Sequence, residues 1–381
     1  MGIGSISGNS LYTNTQVSES SIKRPEGFQG TGKDVFVHDD DAQLTKEQQF
    51  AKAGRLFQSV NDNSFEIAKR KNRRRNDGAQ GPNGPKGPRG PKGPREVKPD
   101  GVSMFEGRNG YDKAFLGVEL PLPGLGDSIK DKVAMRTDKP GECELTYTNY
   151  SVVMNKERKQ CFYAICNIDG TTHRDVKRSG SWSLDGRIPR EYQLGNEAYA
   201  DNNIDRGHMV RRLDPCWGKN ADLASHDTFS YCNSSLQHAG LNQKEWLQLE
   251  DHVLNSAKGQ KMTVITGPIF SKDDPSFNNH GKMKEPAQIP MKFFKTVVWA
   301  DEKTGNLKSA SFILSQEDII KEDDTIKLKG GFEPGRFDVY QVPQKEVERL
   351  TDLHFGNIGD TCKKAVRLTA ENNYAPVGLD K

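Results

Sequence analysis

Apolar residues enter this chain late and unevenly. Residues 1–40 are dominated by Ser, Gly, Asn, Thr and Asp, with too few apolar anchors for a core, which predicts a disordered segment. At Thr45 the pattern changes. Thr45-Lys46-Glu47-Gln48 fits a capping box, and Phe50, Ala53, Leu56, Phe57 and Val60 recur at helical spacing. Asn61-Asp62-Asn63-Ser64 breaks that helix, and 65–75 reads as a second one ending in a run of Lys and Arg. Two such helices bury too little apolar surface to form a domain. They are left to pack on the main domain, on another copy of the chain or on a partner. Further on the pattern is that of strands. Residues 147–154 and 160–168 predict a strand pair joined by the polar turn 155–158. Residues 262–270 predict a buried strand ending at Gly267-Pro268, and 293–300 and 309–314 predict antiparallel strands around the turn 301–305. Between them, Leu241, Glu245 and Leu249 share one helix face and Asn242, Trp246 and Glu250 the next. Hairpins around a functional helix predict an α+β fold with a mainly antiparallel sheet.

Composition refines the domain picture. At 381 residues the chain suits one large domain plus an extension, and 33% hydrophobic content is low enough to match a substantial disordered share. Residues 78–95 (GAQGPNGPKGPRGPKGPR) place Gly at every third position, as a collagen triple helix requires. Six triplets are short for a trimerising stem and read as a semi-rigid extended linker. Lys86, Arg89, Lys92 and Arg95 are each followed by Gly or Glu, never Pro, so this segment is open to a trypsin-like protease. The expected organisation is a disordered 1–40, a helical 41–76, a linker 77–100 and a main domain 101–381. The net charge of +3 decides nothing by itself. The basic run within 69–75 is either a solvated helix end or a sequence-indifferent attraction for phosphate. No run approaches the ~20 apolar residues of a membrane span. The N-terminus lacks the basic and apolar regions of a secretory signal, so the expectation is cytoplasmic, with no membrane partner. Six scattered cysteines without a CxxC pair are expected to be reduced. Cys216, Cys232, His226 and His238 match no standard zinc spacing.

Candidate chemistry centres on Asp205-Arg206-Gly207-His208. It combines an imidazole that titrates near neutrality, a fixed cation and a glycine that permits close approach. Alone the tetrapeptide decides little, because a His beside an Arg is commonly surface or core. The helix of 241–251 adds to it: Asn242 and Glu250 would lie about 12 Å apart along its axis, with Glu250 leaning back toward Asn242. A hydrated cation between them could touch both; the plain alternative is an amphipathic helix with Trp246 in the core.

The succession DRGH, TFxxxN (Thr228 to Asn233), Gln237 and LNQxxWxxLE (Leu241 to Glu250) resembles the DNA/RNA non-specific endonucleases of the ββα-metal superfamily, relatives of endonuclease G, over about 110–355. The resemblance implies a ββα-metal fold and hydrolysis of DNA and RNA. It implies that His208 is the general base and that Asn242 is the one direct protein ligand of Mg²⁺, with Mn²⁺ the other candidate. Glu250 would hold a metal-bound water, Arg206 a phosphate or that shell, and Asp205 would brace the motif. Asn233 and Gln237 would position the loop or the base. An Arg shortly before a Trp meets the scissile phosphate in the family: here Arg178, four residues before Trp182, with Arg187 as its rival. Arg187, Arg211 and Arg212 are the expected nucleic-acid contacts. Leu236 stands where many relatives carry Pro, a change in a loop rather than in a catalytic atom. A nuclease without sequence preference also implies restraint: an inhibitor, an N-terminal segment released by a protease, or delivery to another cell as a defence or toxin effector. A homodimer is a further expectation. The competing readings are a non-catalytic nucleic-acid binder with this fold, and a trimeric structural protein built on the Gly-X-Y tract.

Overall fold

A computed structural model describes residues 97–242, 245–317, 320 and 339–368. The expected disordered segment, the two N-terminal helices, their basic run and the Gly-X-Y tract lie outside the described residues. The last residues of the expected linker do not: Pro99–Asp100 pair in parallel with Leu184–Asp185, and Val97 packs on a buried cluster.

Nine of the described strands build one large sheet. Its members are β1 (Glu144–Thr146), β2 (Tyr150–Asn155), β3 (Gln160–Asp169), β6 (Lys261–Ile269), β7 (Lys292–Ala300), β8 (Leu307–Ser315), β9 (Val339–Val342), β10 (Gly359–Asp360) and β11 (Val366–Leu368). Their order is β11-β9-β8-β7-β6-β3-β2-β1, with β10 alongside β8 in parallel and every other pair antiparallel. The predicted strands are found with ends shifted by a few residues. The strand read from 147 begins at Tyr150, because Asn149 turns the chain at φ 67°. The strand read as ending at Gly267-Pro268 continues to Ile269. Pro268 is tolerated there because β3 stops pairing at Thr266 and only β7 remains alongside, so no ladder partner is lost on the other side.

Both faces of the sheet are covered, which is why its strands read as continuous apolar runs. One face carries Val153, Tyr163, Ile265, Phe294 and Val298 against Phe115, Leu120, Leu353 and Phe355. The other carries Val152, Cys166, Val264, Phe293 and Val297, and on it lies the element that matters here. A hairpin of β4 (Ile204–His208) and β5 (Ser234–His238) runs into two helical pieces, α3 (Ala239–Asn242) and α4 (Glu245–Ser256). Two shorter helices precede them, α1 (Asn196–Tyr199) and α2 (Ala221–Asp227). The apolar stripe Trp246, Leu249 and Val253 seats α4 on the sheet, with Trp246 wholly buried and its ring 5.8 Å from that of Phe293. Emptying that position would cost about 3–5 kcal/mol. The outer edge of β5 is bound by two buried glutamines. Gln160 Oε1 accepts from the Leu236 amide at 3.0 Å and Gln316 Oε1 from the His238 amide at 2.7 Å, so the backbone donors of this edge are satisfied without another strand.

Candidate active site

The hairpin sorts the four residues of the motif onto two faces. In β4 the side chains of 204, 206 and 208 point one way and those of 205 and 207 the other. His208 and Arg206 therefore share one aromatic neighbour: the Trp182 ring lies 4.8 Å from the His208 ring and 5.7 Å from the Arg206 guanidinium. Phe229 closes the other side of the imidazole at 5.6 Å. The chain leaving His208 is fixed by Asn233, whose Oδ1 accepts from the Val210 amide at 2.8 Å while its Nδ2 donates to the Val210 and Thr228 carbonyls. Asn233 is thus a brace for the strand that carries the imidazole.

His208 Nε2 makes no hydrogen bond. Enclosure of the ring, then Arg178, then Arg212, hold the imidazole down at about 3, so it is neutral across the working range, with a lone pair on offer. Neither arginine is paired with a carboxylate among the described residues. Arg178 lies over the Phe229 ring at 5.0 Å, and Arg212 donates to the Val176 carbonyl at 2.8 Å. Arg206 is held by the Asn196 side chain and by three rings, those of Trp182, Tyr199 and Tyr231. Two cations without an acidic partner among the described residues beside a neutral imidazole, with Arg206 on the same face of β4, make a receptor for an anion.

On the opposite face of β4, Asn242 Nδ2 donates to Asp205 Oδ2 at 3.0 Å. A carboxylate only accepts, so this bond dictates that the amide presents its Nδ2 to Asp205 and leaves Oδ1 for another partner. Asp205 and His208 are three residues apart, hence within about 10 Å along an extended strand. Of the helix expected through 241–251, the described residues are those of α3 and α4, 243 and 244 lying outside them. Asn242 lies in α3 and Glu250 in α4. Glu250 is 8% exposed and its Oε1 has no hydrogen bond. Burial pushes its carboxyl up to about 7 against the pull of Lys295 and Arg211.

Two expected nucleic-acid contacts are corrected. Arg187 is 1% exposed: its guanidinium pairs with Asp185 at 2.7 Å, donates to the Thr146 carbonyl and lies 3.8 Å over the Phe105 ring. An ion pair that deep has no face left for phosphate, which leaves Arg178 as the arginine beside His208. Arg211 is committed too, to the half-exposed Asp251 and toward the buried Glu250, so it braces carboxylates rather than extending a phosphate surface. Reasoning from sequence missed Lys295 and Asp214, the other charged neighbours of Glu250, and took Trp182 only as a landmark. The one signal was a Lys in an otherwise apolar strand, aligned with Phe293 and Val297. Gln237 is fully buried, with neither amide atom hydrogen-bonded, and lies against Gly207.

The sequence pattern of the family described as DNA/RNA non-specific endonuclease matches residues 131–361, more than half of the chain. This chain belongs to the DNA/RNA non-specific endonuclease family. The segment matched is an endonuclease domain, a hydrolase by class. An uncharacterized protein y4fB of Sinorhizobium fredii (strain NBRC 101917 / NGR234) is 34% identical over 272 residues, 66% of this chain and 40% of that protein. The chain thus spans about two-fifths of that relative. A chain in a crystal structure of the EndoG/EndoGI complex, determined for the mechanism of EndoG inhibition, is 20% identical with a TM-score of 0.44. The match covers 56% of this chain and 85% of that one. At that distance it adds nothing to the assignment, which rests on the match over 131–361.

The endonuclease domain holds donors that fit a hard divalent cation. The Asn242 Oδ1 is left over by the bond to Asp205, and Glu250 Oε1 is a buried oxygen without a donor. Among the described residues no three His, Cys, Asp or Glu side chains converge on a metal site, so Cys216, Cys232, His226 and His238 do not assemble a zinc cage. No described helix is long and apolar enough to cross a membrane.

Proposed function

We propose that the protein is a metal-dependent endonuclease that hydrolyses DNA and RNA phosphodiesters without sequence preference. The observation that carries this reading is the Asp205–Asn242 hydrogen bond, which engages the amide nitrogen and ties Asn242 to the strand that bears the unpartnered Nε2 of His208. Asn242 would hold Mg²⁺ or Mn²⁺ by its Oδ1, with Glu250 taking up a water of its shell. When bound, the ion would stabilise charge building on the leaving oxygen.

The residues divide the remaining work. Arg178 and Arg212 draw the phosphate toward His208, and Arg206 adds a third cation on the same face. Nε2 of His208 takes a proton from water as its oxygen bonds to phosphorus, and the opposite P–O bond breaks. Arrival of the phosphate also offsets the two arginine charges that hold the imidazole down, so His208 becomes a stronger base with substrate in place. Contacts made to the backbone alone give sequence tolerance.

Plasmid DNA and a structured RNA incubated with the full chain, in Mg²⁺ and in EDTA, test the proposal. Cleavage should need the metal and fall by about 10²–10⁴-fold in His208→Ala; His208→Ala cutting at the wild-type rate removes the base assignment. A non-catalytic binder would shift both nucleic acids in a gel and degrade neither. Restraint by the N-terminal segment is the further part of this reading, supported by the Lys-Gly and Arg-Gly bonds of the Gly-X-Y tract. Limited trypsinolysis there should raise activity, and unchanged activity after cleavage would remove it.

A further inference from the structure

Lys295 occupies the middle of β7 with 1% of its surface exposed, on the face it shares with Phe293 and Val297. An aliphatic side chain would serve packing there, whereas an ammonium costs several kcal/mol to desolvate. Its contacts show what the charge meets. Nζ donates to Thr266 Oγ1 at 3.0 Å, across the β6 pairing, lies 4.8 Å over the Trp246 ring and stands 3.8 Å from Glu250 Oε1. The other carboxylate oxygen, Oε2, is 4.0 Å from Arg211 Nε. Glu250 is therefore gripped by one cation from the sheet beneath α4 and one from the segment that connects β4 to β5.

We infer that Lys295 is a positioning residue of the active site: from inside the sheet it pairs with the Glu250 carboxylate and fixes where it points. The inference rests on the nuclease reading for its consequence but not for its physics. The charged and polar groups facing Glu250 are Lys295 from β7, Arg211 and Asp214 from the segment after β4, and Trp246 from its own helix. Asp251 in turn holds Arg211, and His173 faces Asp214. Of the two cations Lys295 is the deeper and has no closer acid, since Arg211 is shared with Asp251. Burial acting alone would leave the carboxyl protonated at neutral pH; the two cations oppose it.

The test uses the full chain as Lys295→Met, Lys295→Arg and Lys295→Met/Glu250→Gln, with two readouts. Without metal, the Glu250 carboxyl is titrated by carbon NMR, its signal assigned with Glu250→Gln. Lys295→Met should move the midpoint up by a unit or more, and Lys295→Arg should return it toward wild type. With Mg²⁺, the acid limb of plasmid cleavage should move the same way, lowering the rate at neutral pH by about 10–100-fold, as loss of a supporting partner at a metal site does. An unmoved midpoint in Lys295→Met overturns the inference, whatever happens to activity. If Lys295→Met alone does not fold, folding of the double variant supports the coupling, and failure of both overturns it. A wild type that cuts nothing sinks the nuclease reading, while the titration still decides the role of Lys295.

Discussion

Replacing Gly207 by Ala separates two physical arguments that predict opposite signs. Gly207 lies in the middle of β4, paired with Ser235, and its backbone is not in the left-handed region. On backbone grounds Ala should stabilise the strand by about 0.5–1 kcal/mol, because glycine loses the most freedom on folding. The surroundings say otherwise. A Cβ at 207 would sit 1.9 Å from Gln237 Oε1, 2.3 Å from its Cδ and 2.5 Å from its Cγ. Gln237 is fully buried on the paired strand, so the clash reaches past the flexible end of the side chain to a part that the β5 backbone fixes. Overpacking of this kind costs about 1–3 kcal/mol, and the net loss should be about 1–2 kcal/mol. Urea unfolding gives the number, and the double variant Gly207→Ala/Gln237→Ala gives its cause. The added methyl fills part of the space vacated by Gln237, so the double variant should be less destabilised than the two singles added together, by about 1 kcal/mol or more. If Gly207→Ala is as stable as wild type, or the two changes simply add, the close approach of Gln237 to β4 is not what selects glycine here.

Three further outcomes follow from the same geometry. His208 is held at about 3 in the folded chain against about 6.5 when unfolded. The unfolded state therefore binds the extra proton between those values, and stability falls as pH drops through that window at up to about 1.4 kcal/mol per unit. His208→Gln should flatten that slope in urea midpoints measured between about pH 7 and 4.5, and superimposable slopes would show that the ring is not shielded. Asp205→Ala should free the Asn242 amide, raising the Mg²⁺ concentration needed for half-maximal cleavage by about 10–100-fold. Asp205→Asn, whose carbonyl can still accept, should do less, and equal effects would mean that the brace is not a hydrogen bond. Arg187→Met should cost about 3–5 kcal/mol by stranding Asp185 while leaving cleavage per folded molecule intact; lost cleavage at full stability would return Arg187 to the phosphate.

How far the sequence could be read depended on whether a residue's partner was local. The strands at 150–155, 160–169, 292–300 and 307–315 were legible because apolar and β-branched runs ended at polar turns. Their order in the sheet was not, because strands buried on both faces carry no alternation to set a register. The hairpin of β4 and β5 was visible only through its motif, since Asp205, Arg206 and His208 make a poor strand by composition. Its pairing satisfies the backbone and the side chains face a site rather than a core. Asn242 and His208 were singled out by type and spacing alone. The hydrogen bond from Asn242 to Asp205 that orients the amide was not legible. Arg187 misled because its partner, Asp185, lies two residues away across a bend, a separation at which sequence gives no geometry.

The arginines and lysines around this site fall into two sets, and the division is itself a statement about mechanism. Arg187, Arg211 and Lys295 face carboxylates inside the fold, where each buried charge is tolerable only while its partner remains. Removing any of them should act first on stability or on the state of a carboxylate. Arg178, Arg206 and Arg212 face rings, amides and carbonyls, which orient a guanidinium without neutralising it. Within that set Arg178 and Arg212 hold protons off His208, and neither has a carboxylate partner among the described residues. On the proposed reading a phosphodiester supplies the anion that offsets them, beside the imidazole proposed to take the proton. The second set should therefore show a steep loss of substrate affinity with rising salt, and charge removal there should flatten that dependence. The first set, screened by burial, should show no change in salt slope when altered. Equal salt slopes for Arg178→Met and Lys295→Met would mean that the division drawn from the contacts does not describe how the charges are used.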